Sequence, residues 1–270
     1  MAQGARWFHI GAADASIEFR VGDRLFAFAG PKLSSFSKIH GYTCSVDRSS
    51  VADELNSRGY ADLGPLLSDQ DIAALTNMYS LEDPFRSHII MRRHGFGEGE
   101  YKYFANPLPK SVASLRQQLY SILAPIANHW QECVGAEQRF PKTHKEMLAR
   151  CHADGQTRPT PLMLKYGQGD FNCLHQDLYG EYVFPLQVVI LLSDVHDFAG
   201  GEFVLTEQRP RMQSRVEVVQ LRKGHGVAFT VSERPKLGSR GHYRVKMRHG
   251  VSQLRSGERY TLGIIFHDAA

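Results

Sequence analysis

Two potential metal ligands stand two residues apart in His175-Gln176-Asp177. In an extended strand that spacing puts both side chains on one face, where they can share one metal. A third ligand is available at His249, on a strand expected over 245–251. Two imidazoles and one carboxylate fill three positions of an octahedron and leave the opposite three open, the arrangement suited to a non-haem iron(II) centre. An isolated His-x-Asp arises easily by chance in a chain with 13 histidines, and His152-Ala153-Asp154 is a second one. Context separates the two. His152 ends a helical-looking segment, KTHKEMLARCHADG, in which residues two apart point in different directions.

Ten residues after His249 stands Arg259, which a turn through Ser256-Gly257 makes the first residue of a final strand. Arginine grips a carboxylate with two parallel hydrogen bonds, and a diacid held to a metal at one end needs such a grip at the other. Standing alone, Arg259 would read as a surface strand residue; with the three ligands upstream it becomes a candidate anion anchor.

The elements that must position these residues fall into two halves. Residues 1–48 form an N-terminal arm or a small hairpin, since IEFRVGDRLFAF alternates around Gly22-Asp23. From Ser50 the pattern turns helical, with Ser50 and Asp53 resembling a capping box. Ser68 is an N-cap for a second helix carrying Ile72, Leu75 and Tyr79 on one face. HIIMRR and EYKYF flank a glycine-bearing turn and read as an antiparallel hairpin. A longer helix follows Pro109, with Val112, Leu115, Leu119, Ile122, Ile126 and Trp130 on one buried face and Pro125 as an expected kink. After about residue 159 come PLMLKY, VFPLQVVILL, EFVLTE, RVEVVQL, GVAFTV, YRVKMRHGV and RYTLGIIF, seven strands at turn-rich spacing. The fold class expected is therefore α+β, mainly β: a double-stranded β-helix (a cupin-like jelly roll, about 159–268) with N-terminal helices packed on it, in one domain over 49–270.

The 270 residues are ordinary for a globular protein at 42% hydrophobic and 22% charged, and no apolar run approaches a membrane span. The N-terminus does not read as a secretory signal, so a cytoplasmic address is expected. Cys44, Cys133, Cys151 and Cys173 lack CxxC spacing, which argues for reduced thiols. Net charge is +4, unevenly spread: residues 208–248 hold 11 Lys/Arg against Glu217 and Glu233, a net +9 that leaves −5 for the rest.

The chain resembles the 2-oxoglutarate/iron(II) dioxygenases over roughly residues 50–268. The landmarks are Tyr166-Gly167-Gln168-Gly169-Asp170-Phe171 before the His175-Gln176-Asp177 motif, then Gly200-Gly201-Glu202, Gly224-His225-Gly226-Val227-Ala228-Phe229, and His249-Gly250-Val251 through Arg259. The ending RHGVSQLRSGERYTLGIIFHDA is similar to a bacterial group of oxygenases assigned to demethylation of damaged DNA. The resemblance implies iron(II) held by His175, Asp177 and His249, with 2-oxoglutarate and dioxygen as cosubstrates. It also implies Arg259 on the distal carboxylate of 2-oxoglutarate, with the Tyr166 hydroxyl assisting; a core tyrosine is the other reading of Tyr166. The reaction so implied hydroxylates a C–H bond as 2-oxoglutarate becomes succinate and carbon dioxide, and an N-methyl substrate then releases formaldehyde.

Nucleic acid is the expected partner, single-stranded or alkylated. The basic 208–248 region can track phosphates, and the 88–104 hairpin supplies Arg92, Arg93, Tyr101, Tyr103 and Phe104 to bind phosphate and stack on a base. The same residues also suit solvated strand faces and a packed core. AlkB-type dealkylases carry a second arginine six residues after the first on the last strand, and here that position is Ile265, a departure from that pattern. The alternatives are a hydroxylase of a protein side chain or small metabolite, of the prolyl hydroxylase kind, and a barrel that binds metal or ligand without turnover.

Overall fold

The computed structural model describes residues 47–178 and 180–270 in full, and the backbone of 16–21, 24–29, 38–39 and 42–43. Contacts divide the chain into Met1–Phe36 and Ser37–Ala270. In the first unit β1 (Ser16–Val21) pairs antiparallel with β2 (Arg24–Ala29), Val21 opposite Arg24; the Gly22-Asp23 turn expected between them lies outside the described residues, as does Cys44.

The second unit begins with the short pair β3 (Lys38–Ile39) and β4 (Tyr42–Thr43). Helix α1 (Arg48–Arg58) has its N-cap at Asp47, three residues before the expected Ser50, because the Asp47 side chain accepts from the Ser49 amide and caps it there. After β5 (Tyr60–Pro65) comes α2 (Asp69–Met78), where Ser68 and Asp71 form a full capping box. Strands β6 (Phe85–Ile90), β7 (Gly97–Glu98) and β8 (Glu100–Phe104) build the hairpin around a 3-10 turn at Met91–His94. Helix α3 (Lys110–Cys133) runs unbroken through Pro125, so the proline does not interrupt the helix. Helix α4 (His144–Ala153) follows, capped by Thr143 and Glu146.

All seven strands expected in the second half form, together with four more, eleven among the described residues. In order they are β9 (Leu162–Tyr166), β10 (Phe171–His175), β11 (Leu186–Leu191), β12 (Phe198–Gly200), β13 (Phe203–Gln208), β14 (Arg215–Val219), β15 (His225–Thr230), β16 (Glu233–Gly238), β17 (Gly241–Val251), β18 (Leu254–Gly257) and β19 (Arg259–Ile264). Ser256-Gly257, expected as a turn, belongs to β18, which pairs with β12.

The strands make a jelly roll of two antiparallel sheets. One runs β5-β15-β11-β19-β9-β8-β6; the other runs β14-β13-β17-β10-β7, with β16 also paired to β17. Strand alternation sorts the larger sheet into two faces. Leu186, Val188, Ile190, Leu262 and Ile264 pack under the helices with Leu55, Leu75, Leu119 and Met147. Val189, Val227 and Phe229 point the other way, against Phe203, Leu205, Val245 and Met247 of the smaller sheet. β11 is buried along its whole length because it has helices on one side and a sheet on the other. No helix among the described residues is long and apolar enough to cross a membrane.

Candidate active site

The register between β10 and β17 brings the two histidines together. Asn172 stands opposite Val251 and His175 opposite His249, so Cys173 and Leu174 share the single residue Gly250 as their partner. This is a β-bulge, one extra residue on β10. Without it, alternation from inward-facing Asn172 would turn His175 outward; the extra residue restores it to the inner face beside His249. Gly250 is required there, since a Cβ would come 2.7 Å from the Asn172 carbonyl oxygen. β10 ends at His175, so Asp177 sits just beyond the strand rather than within it. The loop is fixed by Gln176, whose side-chain amide donates to the carbonyls of Ser232 (2.9 Å) and Met247 (2.8 Å).

The imidazole rings of His175 and His249 lie 4.2 Å apart, and each Nε2 is 3.4 Å from a different oxygen of Asp177. His175 Nδ1 is 2.8 Å from the Cys173 carbonyl, which can only accept. Nδ1 therefore donates to that carbonyl, and Nε2 is the nitrogen left to face Asp177 or a metal. Gln187, buried on β11, donates to Asp177 Oδ2 at 3.0 Å and orients the carboxylate. Burial opposes the charge on Asp177, yet its bonds to the two imidazoles hold the carboxyl far below the usual range. The histidines divide: burial works against the charge on His175 but contact with Asp177 outweighs it and raises the pKa, whereas complete burial wins at His249 and lowers it.

Across the same cavity, Arg259 and Tyr166 are directly opposed on β19 and β9. The Arg259 guanidinium lies 5.6 Å from the Tyr166 ring centroid. Arg259 is 2% exposed, one terminal nitrogen has no hydrogen-bond partner, and among the described residues no carboxylate comes within ion-pair distance. Burial draws its pKa down to about 10. The Tyr166 hydroxyl, raised to about 12 by burial, has the Asn172 side chain near it, but no hydrogen bond of good geometry closes between them. The cavity holds about 280 Å³, with an apolar wall that includes Leu162, Leu164, Val189, Phe203 and Phe229.

The other expected residues scatter. Tyr101 and Tyr103 line the cavity, their rings edge to face at 5.4 Å. Phe104 does not: it points to the opposite face of β8, is fully buried and stacks on Phe85 in the helix-side core, so it is removed from the substrate-facing set. Arg92 and Arg93 are exposed on the 3-10 turn, Arg92 3.6 Å from Glu98. His152 lies in the last turn of α4, 2.8 Å from Asp268 and away from the triad. Ile265 lines the cavity as an apolar side chain. The basic stretch is less free than its count suggests. Arg234 is buried, bonded to Glu207 and to the Asn56 and Ser57 carbonyls, while Arg209, Arg215, Lys223, Lys236 and Arg244 each have an acidic neighbour. Gln176, Gln187 and Phe96 were not expected at the site; only Gln176, between the two ligands, stands where a motif could have drawn attention.

The donor set fits a divalent transition metal such as iron(II). His175, Asp177 and His249 each offer one ligand atom, all within 4.8 Å of one another, and they are the one such group among the described residues. A buried guanidinium without a counter-ion on the facing wall fits the far carboxylate of a short diacid.

A sequence family described as an oxygenase catalysing oxidative methylation of damaged DNA matches residues 99–269. An uncharacterized protein of Mycobacterium tuberculosis is 56% identical over 168 residues, 62% of this chain and 72% of that one. Among solved structures, an oxidoreductase of the 2OG-Fe(II) oxygenase family from Burkholderia pseudomallei aligns with a TM-score of 0.48 and 16% identity, covering 84% of this chain and 94% of that one. A Pseudomonas putida prolyl-4-hydroxylase aligns with a TM-score of 0.44 and 13% identity, covering 83% and 99%.

Proposed function

We propose, since this chain belongs to the oxygenase family described as acting on damaged DNA, that it is an iron(II)- and 2-oxoglutarate-dependent dioxygenase whose substrate is alkylated nucleic acid. The observation that carries the reading is the facing pair of unsatisfied groups in one cavity: three metal donors on one wall and the buried, counter-ionless Arg259 on the other.

His175, Asp177 and His249 hold the metal through Nε2, a carboxylate oxygen and Nε2. Bound there with 2-oxoglutarate and dioxygen, iron(II) supplies the oxidation of an inert C–H bond as 2-oxoglutarate becomes succinate and carbon dioxide. The protein's part is placement. Arg259 binds the distal carboxylate of 2-oxoglutarate, and Tyr166, protonated at neutral pH, donates to the same group. Gln187 keeps Asp177 turned toward the two imidazoles, and the Cys173 carbonyl fixes the tautomer of His175. Phe203, Phe229, Val189 and Leu164 exclude water. Tyr101 and Tyr103 border the space left for a flat base. An N-methyl group hydroxylated in that space leaves as formaldehyde.

The test incubates the protein with iron(II), 2-oxoglutarate, oxygen and a panel of N-methylated DNA and RNA strands, measuring succinate and formaldehyde. Formaldehyde above the unmethylated control is expected from at least one strand. Succinate formed on a peptide or metabolite pool, with no formaldehyde from any strand, moves the substrate to the hydroxylase alternative.

A further inference from the structure

The mouth of the cavity is built from two segments that both line the interior and reach solvent: Gly95-Phe96 from the hairpin tip, and Cys173-Leu174 from the bulge in β10. Phe96 is 40% exposed and Leu174 46%. Large apolar side chains held in water at the entrance to a buried site call for a partner.

The Phe96 tip is held in place. Its amide donates to the Met91 carbonyl at 3.2 Å, its carbonyl accepts from the Cys173 amide at 2.9 Å, and the next residue, Gly97, pairs with Asn172. Gly97 has φ of 130°, and a Cβ there would run into the Phe171 carbonyl oxygen, so the tip can lie this close to β10 only with glycine. The His94 ring stacks on Phe96 at 5.3 Å and 21°, and among the described residues no second ring covers the other face.

Cations flank this stack. Arg93 is exposed and has no acidic neighbour among the described residues. On the other side of the mouth Leu174 lies opposite Gly250, and the next outward positions along β17 are Arg248 and Lys246. Two residues apart on one strand, they share the outer face; both are exposed and neither closes an ion pair among the described residues, Glu233 opposite Lys246 being paired with Arg244. An open aromatic face beside a short row of unpaired cations matches a base–phosphate repeat.

We propose that a single-stranded polynucleotide crosses this mouth with one nucleobase stacked on Phe96, adjacent to the base that enters the cavity, and with its phosphates running over Arg248 and Lys246. The inference rests on nucleic acid being the substrate and assigns where the strand is held. The experiment measures binding of a fluorescent single-stranded oligonucleotide across a salt series for the full chain, for Phe96→Ala and Phe96→Trp, and for the double variant Lys246→Gln/Arg248→Gln. All three side chains changed are exposed, and equal melting temperatures check that the fold is kept. Phe96→Ala should bind about 5- to 150-fold more weakly with the salt slope unchanged, as loss of one stacked base requires, and Phe96→Trp should restore binding. The double variant should flatten the slope of log K against log salt by about 1.4, at roughly 0.7 per lost phosphate contact on a single strand. Wild-type affinity in Phe96→Ala, or an unaltered slope in the double variant, overturns the strand path. If the unaltered protein still releases formaldehyde from a methylated strand, only the path has failed; if it neither binds nor demethylates any strand, the substrate assignment has failed with it.

Discussion

Asp177 and Arg259 are the two groups of the cavity whose charges are hardest to hold, one a buried acid kept ionised by two imidazoles, the other a buried base with nothing opposite it. Gln187 matters because it donates to the Asp177 oxygen that also faces His249. Gln187→Leu keeps the volume but leaves that oxygen short of a donor, and loosened orientation of a ligating carboxylate typically costs 10- to 100-fold in metal affinity. Cobalt(II) titration followed by absorption should show about that loss, while Gln187→Glu at acid pH, where the new carboxyl can donate, should recover part of it. Wild-type cobalt affinity in Gln187→Leu would remove Gln187 as a positioning residue. Such a residue was invisible in the sequence: it lies in the run LQVVIL, where one polar side chain among apolar neighbours carries no motif, and its meaning comes only from the loop that lands opposite it.

At the scale of elements, the hairpin and the bulge decide which side chains meet the cavity. The alternation of EYKYF showed that Tyr103 and Phe104 face opposite ways, but not which way; that depends on β8 pairing with β9 and on the helices covering the far side. Phe104→Ala should therefore destabilise the fold by about 3–5 kcal/mol as a core truncation, whereas Tyr103→Ala should leave the melting temperature closer to wild type and lower demethylation of a methylated strand. Thermal melts paired with formaldehyde release separate the two; the reverse pattern would mean that the strand is turned over. The metal ligands were more legible, because His-x-Asp and a later strand histidine name the three donors without knowledge of the register. What alternation could not supply is the bulge: counted without it, Asn172 and His175 would face opposite sides, and only the register against β17 shows the extra residue. Likewise the Asp47 cap and the unbroken helix through Pro125 follow from local bonds and tertiary packing rather than pattern.

Across the whole molecule, helices and jelly roll are joined by buried groups that also set its response to acid. Burial, reinforced by Arg116, pushes His144 and His267 down to about 4. His144 Nε2 donates to the Phe266 carbonyl, and His267 Nδ1 accepts from the Phe184 amide. Both imidazoles are neutral when folded and take up a proton on unfolding near their ordinary pKa of about 6.5. Their contribution is fully present above pH 6.5 and is lost as pH falls toward 4, by up to about 1.4 kcal/mol per pH unit for each histidine. Denaturant melts from pH 7 to pH 4 should show stability falling across that window, with a shallower fall in His144→Gln; a flat profile would contradict the assignment. Which strands fall in the helix-covered sheet and which in the facing sheet came only with their pairing, whereas a jelly roll with helices packed on it was legible from seven strand patterns at turn-rich spacing. The cavity between the sheets was not, since it depends on which inner residues are short of partners. The most direct measurement is anaerobic titration with iron(II) and 2-oxoglutarate, followed by the visible charge-transfer absorption of an iron(II)–2-oxoglutarate chelate. The unaltered protein should develop the band at one equivalent of each; His175→Ala, Asp177→Ala and His249→Ala should not, His152→Ala should, and Arg259→Ala should reach it only at far higher 2-oxoglutarate. No band in the unaltered protein, or an undiminished band in His175→Ala, would contradict the account.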